Sequence, residues 1–123
     1  MVMLDTNMIL RYLLNDNLEM AEYAQSVIQS ENAKITIEVI AEVVYVLKGV
    51  YSVSRQEIRD SLEVFIEEVE ITEKEVVNCA LDTYAKHNLD FVDCVLYAYR
   101  EVYNYDILTF DKKLKRLLHT KEQ

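Results

Sequence analysis

The feature that most constrains the fold is an alternation of short apolar runs with longer segments in which apolar residues recur every three or four positions. Short apolar runs are typical of strands buried on both faces, and the spacing of three and four is typical of helices with one buried face. Strands that alternate with helices need crossover connections, which produce parallel sheets. The alternation therefore predicts an α/β domain of three layers, with a mainly parallel sheet between helices.

The predicted strands span residues 2–4, 34–37, 69–71 and 107–109. The predicted helices span residues 8–14, 18–31 and 38–50, then run from Ser54 to 67, from Thr72 to 87, from 91 to 103 and from 112 to 118. Ser54 with Glu57 and Thr72 with Glu75 have the three-residue spacing of capping boxes, which start helices.

The chain has 123 residues, no proline and a single glycine, Gly49, so it offers no flexible linker. We expect one domain over residues 1–123, because this is a typical domain length and 51% hydrophobic residues suffice for a core. Cys79 and Cys94 lie in apolar stretches without metal-ligand spacing, which predicts buried free thiols in a reducing cytoplasm. No apolar run approaches a membrane span, and no signal peptide is visible.

The net charge of −9 is unevenly distributed. Residues 111–123 carry five basic and two acidic side chains, a net +3, so residues 1–110 carry −12. An acidic body argues against a protein that coats nucleic acid, although it does not exclude an enzyme that meets a phosphodiester through bound cations. The basic tail is either a phosphate contact or a solvated helix face.

Four acidic residues are predicted at one edge of the sheet, where open parallel sheets bind ligands. Asp5 ends the first strand, and Asp111 follows the end of the fourth strand by two residues. Glu42 lies in the helix after the second strand, among apolar residues, and Asp93 lies in the first turn of the sixth helix, with Asp90 expected as its cap. Each acid alone could be a helix cap or a solvent-facing residue. Together they would repel one another unless hard divalent cations neutralised them.

Four sequence blocks occur in order and at suitable spacings: MLDTNMILRYLL, TIEVIAEVVYVLKGVYSVSRQEI, LDFVDCVLYAYRE and ILTFDKKLKRL. They resemble the PIN domain, and particularly the short VapC-type ribonuclease toxins of prokaryotic toxin–antitoxin pairs, over residues 1–118. The resemblance implies a three-layer α/β fold with a central, mainly parallel sheet of four or five strands flanked by helices. It also implies hydrolysis of RNA phosphodiester bonds, with Mg²⁺ or Mn²⁺ held by Asp5, Glu42, Asp93 and Asp111.

The resemblance assigns further roles around these acids. Asn7, Thr6 and Thr109 match polar positions that shape and orient the site, with Asn7 expected to hold a carboxylate. Because a bound divalent cation makes a water molecule more acidic, the reaction needs no Ser, Cys or His nucleophile. His87 and His119 lie outside the four blocks, and we expect both at the surface.

Partners are implied by the resemblance alone: an RNA substrate, a VapB-like antitoxin that lays a peptide across the active-site groove, and a second copy of the chain in a homodimer. Arg11 and the basic tail are candidates for attracting RNA. Four tyrosines cluster after Asp93, and they either pack in the core, stack on bases or form a subunit interface. These are Tyr97, Tyr99, Tyr103 and Tyr105.

Two other functions fit parts of the sequence. A PIN-like module that binds RNA or protein without cleaving it would share the fold. A magnesium-dependent phosphatase of the haloacid-dehalogenase type also begins with a strand and an aspartate, but it needs a second carboxylate two residues later. Asn7 occupies that position, which disfavours the phosphatase.

Overall fold

The protein, in a computed structural model that describes residues 1–121, is a small parallel sheet flanked by helices. The end of the predicted basic tail, Glu122 and Gln123, lies outside the described residues. In chain order the elements are β1 (Val2–Met3), α1 (Thr6–Leu14), α2 (Leu18–Ser30), β2 (Ala33–Ile35), α3 (Ile37–Gly49), α4 (Arg55–Phe65), β3 (Glu70–Ile71), α5 (Lys74–Lys86), α6 (Phe91–Tyr103) and α7 (Lys112–Lys121).

The sheet has the order β1-β2-β3, and both strand pairs are parallel, which confirms the predicted sheet type. Val2 lies opposite Ala33 in the first pair, and Ile35 lies opposite Ile71 in the second. The central strand β2 buries Ala33 and Ile35 on one face of the sheet, and Lys34 on the other face is half-buried. The carboxyl ends of all three strands therefore meet at one edge.

The predicted fourth strand, residues 107–109, does not form, so the sheet has three strands within residues 1–121 rather than four or five. The side chain of Ile107 packs into a small cluster with apolar residues of α6 and α7. Leu108 and Phe110 are 93% and 97% exposed. Because this segment packs with α7 and makes no ladder with β1, the sheet ends at β1.

The second strand also ends earlier than predicted, at Ile35 rather than at residue 37. Thr36 caps α3, and its hydroxyl accepts a hydrogen bond of 3.3 Å from the backbone N–H of Val39. Ile37 is therefore the first residue of the helix. The strands on both sides of β2 are only two residues long, so the helix cap at Thr36 is favoured over continuation of β2.

One predicted capping box is confirmed and the other is wrong. The Ser54 hydroxyl accepts a hydrogen bond of 3.2 Å from the N–H of Glu57 at the start of α4. At the start of α5 the cap position is Glu73 instead of Thr72, in the left-handed region at φ 63°, and its side chain makes no capping bond. The Glu73 carboxylate instead accepts a hydrogen bond of 2.7 Å from the hydroxyl of Tyr103 on α6, so a tertiary contact replaces the local cap.

Most of the core lies between the sheet and helices α3 to α6, and the remaining helix ends agree with the predictions within three residues. Both cysteines are free: Cys94 is buried as predicted, whereas Cys79 is only half-buried. His87 and His119 are exposed, which confirms the prediction for both. None of the helices within residues 1–121 has the length and hydropathy that crossing a bilayer requires.

Candidate active site

Two of the four predicted acids, Asp93 and Asp111, line the same cavity, which has a volume of about 440 Å³. We call it the acidic cavity. Asp93 lies in the first turn of α6, and Asp111 directly precedes α7, so the starts of two helices bring them together. The full lining is Asn88, Leu89, Asp90, Asp93, Phe110, Asp111, Lys112 and Lys113.

The charge of Asp93 is disfavoured in this position. Burial raises the pKa of its carboxyl, and the negative charges of Asp111 and Asp90 raise it further. Desolvation and like charges both penalise the ionised form of a carboxyl. A cation in the cavity would offset both effects, so the arrangement suits an oxygen-liganded metal.

Asp111 is held by two local hydrogen bonds. Its Oδ1 accepts a hydrogen bond of 2.8 Å from the N–H of Leu114, which makes it the cap of α7. Its own backbone N–H donates a bond of 3.0 Å to Oγ1 of Thr109. Thr109 therefore fixes the backbone from which the Asp111 carboxylate projects, while one carboxylate oxygen remains for another ligand.

Asp90 occupies the cap position of α6, as predicted, but its side chain makes no capping hydrogen bond. Its carboxylate lines the acidic cavity instead. Asp90 thus adds negative charge beside Asp93 rather than serving as a local cap. The sequence predicted the position of this residue correctly and its contact wrongly.

The other two predicted acids, Asp5 and Glu42, do not line the acidic cavity. Asp5 is exposed and caps α1, where its Oδ1 accepts a hydrogen bond of 3.0 Å from the N–H of Met8. Glu42 is exposed on α3. Among residues 1–121, no three His, Cys, Asp or Glu side chains lie close enough to hold one ion together.

Asp111 lines the acidic cavity and Asp5 does not, and the topology of the sheet accounts for the difference. The two residues follow strands that were predicted to lie in one sheet, where their carboxyl ends would meet at the same edge. Since residues 107–109 pack with α7 and do not pair in the described sheet, no strand pairing holds Asp111 beside the end of β1.

In the described part of the chain, the side chains of Thr6 and Asn7 make no hydrogen bond to the four predicted acids. Asn7 is exposed and lines a separate cavity of about 580 Å³ between α1 and α2, together with Arg11. The Arg11 guanidinium donates hydrogen bonds to the Asp16 carboxylate at 2.9 Å and to the Tyr51 hydroxyl at 3.1 Å. The charge of Arg11 is therefore partly neutralised within the protein.

Sequence reasoning missed Arg55, which holds the loop in front of Asp93. Its Nη1 donates to the carbonyl oxygens of Tyr84, His87 and Leu89 at 3.1, 2.7 and 2.8 Å, and its Nη2 donates to Oδ1 of Asn88 at 3.3 Å. The guanidinium also lies over the Tyr84 ring, 4.1 Å from the centroid. One signal was present: a basic residue at the first position of a helix opposes the helix dipole and calls for another partner.

The sequence indicated no role in the site for three residues of the acidic cavity. Lys112 and Lys113 were predicted only as part of the basic tail, and Phe110 was assigned no role. The structure places them in the wall of the acidic cavity. The signal was their position, since they directly flank Asp111 in the sequence.

The four tyrosines after Asp93 divide into two groups. Tyr97 is buried in the small cluster between α6 and α7. Tyr99, Tyr103 and Tyr105 stack on one another, with ring centroids 5.4 to 6.1 Å apart. Core packing is thus confirmed for Tyr97, whereas Tyr103 and Tyr105 keep 45% and 56% of their surface exposed.

The family model of the PIN domain matches residues 2–118, almost the whole chain. No match was found among curated proteins, and none among solved structures. PIN domains are generally nucleases and typically bind divalent metals. PIN nucleases act on RNA and often pair with antitoxins.

Proposed function

This chain belongs to the PIN domain family, and we propose that it is a metal-dependent endoribonuclease that hydrolyses RNA phosphodiester bonds. The observation that carries the proposal is the shared cavity of Asp93 and Asp111, whose wall also contains Lys112 and Lys113. Paired carboxylates are the ligands that hard divalent cations prefer, and lysines attract the phosphate that such a cation would meet.

The donor chemistry of the cavity fits Mg²⁺ or Mn²⁺. Two carboxylates suffice for a cation that keeps several of its own waters. The negative charges around Asp93 favour binding of such a cation. We assign Asp93 and Asp111 as ligands, completed by Asp5 and Glu42. When bound, the metal makes an attacking water more acidic and offsets charge on the phosphate oxygens.

The protein's own groups orient the metal ligands and accept a proton during the reaction. Thr109 holds the Asp111 backbone, and Arg55 holds the loop that leads to Asp93. Either Glu42 or Asp111 accepts the proton of the attacking water. We also propose that Thr6 and Asn7 orient Asp5, whose position at the cap of α1 leaves one carboxylate oxygen for the site.

The biological setting that we propose is that of a VapC-like toxin in a type II toxin–antitoxin pair, acting in the cytoplasm. The resemblance of the four sequence blocks supports this setting, as does the tendency of PIN nucleases to pair with antitoxins. The partners would be a VapB-like antitoxin and a second copy of the chain. Light scattering tests the homodimer, which should give about twice the chain mass of 14.5 kDa.

One observation favours a second candidate, a PIN-like module that binds RNA or protein without cleaving it. Within residues 1–121 no group of three metal-binding side chains comes together, and Asp5 and Glu42 do not line the cavity of Asp93 and Asp111. A module of this kind would bind RNA in Mn²⁺ and leave it intact.

Incubation of the purified protein with a mixed RNA pool separates the two candidates. Samples contain Mg²⁺, Mn²⁺ or EDTA, and cut sites are mapped by sequencing the new ends. The proposal expects cleavage with metal, none with EDTA, and a loss of at least about 100-fold in Asp93→Asn and in Asp5→Asn. Glu22→Gln, which changes an exposed acid on α2, is the control and should cleave normally. Cleavage that persists in Asp93→Asn would exclude this site as its source.

A further inference from the structure

Phe110 lies between two cavities of opposite character. It lines the acidic cavity and also a neighbouring cavity of about 530 Å³, which we call the basic cavity. The basic cavity is lined by Arg100, Asp106, Ile107, Leu108, Thr109, Phe110, Lys115, Leu118 and His119. Both volumes lie within the range of roughly 300–1,000 Å³ that is usual for small-ligand pockets. Each cavity is therefore large enough to receive one nucleotide.

The Phe110 ring is 97% exposed, and the Lys115 ammonium lies 5.8 Å from its centroid. An aromatic ring left this open has no packing role, since no part of the core covers it. Exposed aromatic rings flanked by cations are the platforms on which proteins stack unpaired bases. The ring thus offers a face to a planar ligand and has a positive charge close by.

Charge selects the kind of ligand. Residues 1–110 carry −12, so an anion of high charge is repelled by most of the surface. The first half of α7 is the exception, with four cations in five residues: Lys112, Lys113, Lys115 and Arg116. Lys112 and Lys113 line the acidic cavity, and Lys115 lines the basic one. A phosphate backbone following α7 would meet positive charge in both cavities.

We propose that Phe110, together with Lys112 and Lys113, forms the docking surface for a single strand of RNA, with one base stacked on the Phe110 ring and its flanking phosphates on the lysines. The strand would run from the basic cavity over Phe110 into the acidic cavity, which delivers one phosphate to Asp93 and Asp111. In a duplex both faces of each base are covered by neighbours, so a stacking platform selects unpaired RNA.

This inference rests on the proposed nuclease function for its purpose, but its test uses binding rather than cleavage. Affinity for a labelled single-stranded 12-mer RNA is measured by fluorescence anisotropy in EDTA, where no metal-dependent cleavage occurs. Phe110→Ala should weaken binding by about 5- to 150-fold, because stacking of a base on an aromatic ring contributes about 1–3 kcal/mol. Phe110→Tyr, which keeps an aromatic face, should restore most of the affinity.

The matched control is Tyr45→Ala, which removes an aromatic ring that is 78% exposed on α3 and lines neither cavity. It should bind as the wild type does. The double variant Lys112→Ala/Lys113→Ala should lower the slope of log affinity against log salt by about 1.4, since each phosphate contact to a single strand contributes about 0.7. Lys48→Ala, an exposed lysine outside both cavities, should leave the slope unchanged.

The outcomes separate this inference from the proposed function. Loss of single-strand binding in Phe110→Ala supports the docking surface even if the protein never cleaves RNA. Unchanged affinity in Phe110→Ala overturns it even if metal-dependent cleavage is observed. If Phe110→Ala instead halves the mass seen by light scattering while RNA affinity is unchanged, the ring is a protein interface and the RNA docking surface is refuted.

Discussion

Arg55 donates a hydrogen bond of 2.8 Å to the carbonyl oxygen of Leu89, one residue before the cap position of α6. The same guanidinium nitrogen reaches the carbonyl oxygens of Tyr84 and His87, so one side chain gathers the end of α5 and the loop that follows it. Asp93 lies one turn beyond this loop. The position of a candidate metal ligand therefore depends on a cation contributed by a different helix, α4.

Arg55→Ala should destabilise the fold and also weaken metal binding. The change leaves carbonyl oxygens without their charged donor, which is expected to cost about 2–4 kcal/mol of unfolding free energy. Arg55→Lys keeps a charge but cannot span several carbonyls. Its stability and metal affinity should therefore fall between those of the wild type and those of Arg55→Ala. Urea unfolding measures stability, and Mn²⁺ titration of the folded variants measures metal affinity.

Arg59 on the same helix supplies the control. It is half-buried and pairs with Asp60 at 2.7 Å and Asp82 at 3.3 Å, but Asp60 is exposed and the side chain of Asp82 keeps 51% of its surface exposed. Arg59→Ala should cost less than about 1 kcal/mol, as exposed ion pairs do, and should leave Mn²⁺ affinity unchanged. Equal losses of metal affinity in the two alanine variants would show that Arg55 has no special role in placing Asp93.

Asp93→Asn should stabilise the metal-free protein and abolish its response to metal. Burial and the charges of Asp111 and Asp90 oppose the ionised Asp93, so removing that charge is expected to raise the unfolding free energy in EDTA. Saturating Mg²⁺ should raise the melting temperature of the wild type but not of the variant. Thermal unfolding with Mg²⁺ and with EDTA measures both effects.

Glu75→Gln, which alters an exposed acid in the first turn of α5, should respond to Mg²⁺ as the wild type does. A wild-type melting temperature that is the same in Mg²⁺ and in EDTA would contradict metal binding at Asp93 and Asp111. A metal response that survives in Asp93→Asn would place the ion elsewhere.

How far the sequence predicts this molecule depends on whether a contact is local. Helices and their caps are set within a few residues, and α6 spans the predicted residues 91–103. The cap at Ser54 was predictable for the same reason. The cap at Thr72 was not, because the carboxylate of Glu73 bonds to Tyr103, thirty positions away.

The sheet and the site show the same limit. Residues 107–109 have the apolar pattern of a strand, but whether they pair with β1 or pack on α7 depends on side chains from two helices. Patterns of period two or three do not encode that choice. Asp111 follows this segment. The sequence therefore predicted that Asp111 lies near Asp93 only as part of the group of four acids that includes Asp5. The structure brings together the pair, and the wider group of four remains a prediction.

The local cap can be tested directly. Ser54→Ala removes the oxygen that accepts the Glu57 N–H and should cost about 1 kcal/mol of unfolding free energy, the usual loss for a helix cap. Thr72→Ala removes the hydroxyl of the capping box that does not form, and its effect should be close to zero. Urea denaturation measures both changes. Equal losses would mean that Thr72 caps α5 in solution, contrary to the contact between Glu73 and Tyr103.

A second pair of acids lies away from the site, between α4 and α5. Burial raises the pKa of Glu63 to about 7, with further contributions from a hydrogen bond to Asp82 and from its charge. The ordinary value is 4.5. Between these values the folded protein keeps a proton that the unfolded chain releases, so this group makes the unfolding free energy fall as pH rises from about 4.5 to about 7. Above pH 7 the loss of unfolding free energy caused by Glu63 is constant.

Glu63→Gln should therefore be more stable than the wild type at pH 8, by an amount on the order of 1 kcal/mol after allowance for screening by solvent. The advantage should shrink through the window from pH 7 to pH 4.5 and vanish below it, because both states of the wild type are then protonated at Glu63. Urea unfolding at half-unit pH steps gives the difference curve, with Glu22→Gln, which changes an exposed acid on α2, measured alongside as the control. A difference that grows as pH falls has the opposite sign and would mean that Glu63 is stabilised as a carboxylate in the fold.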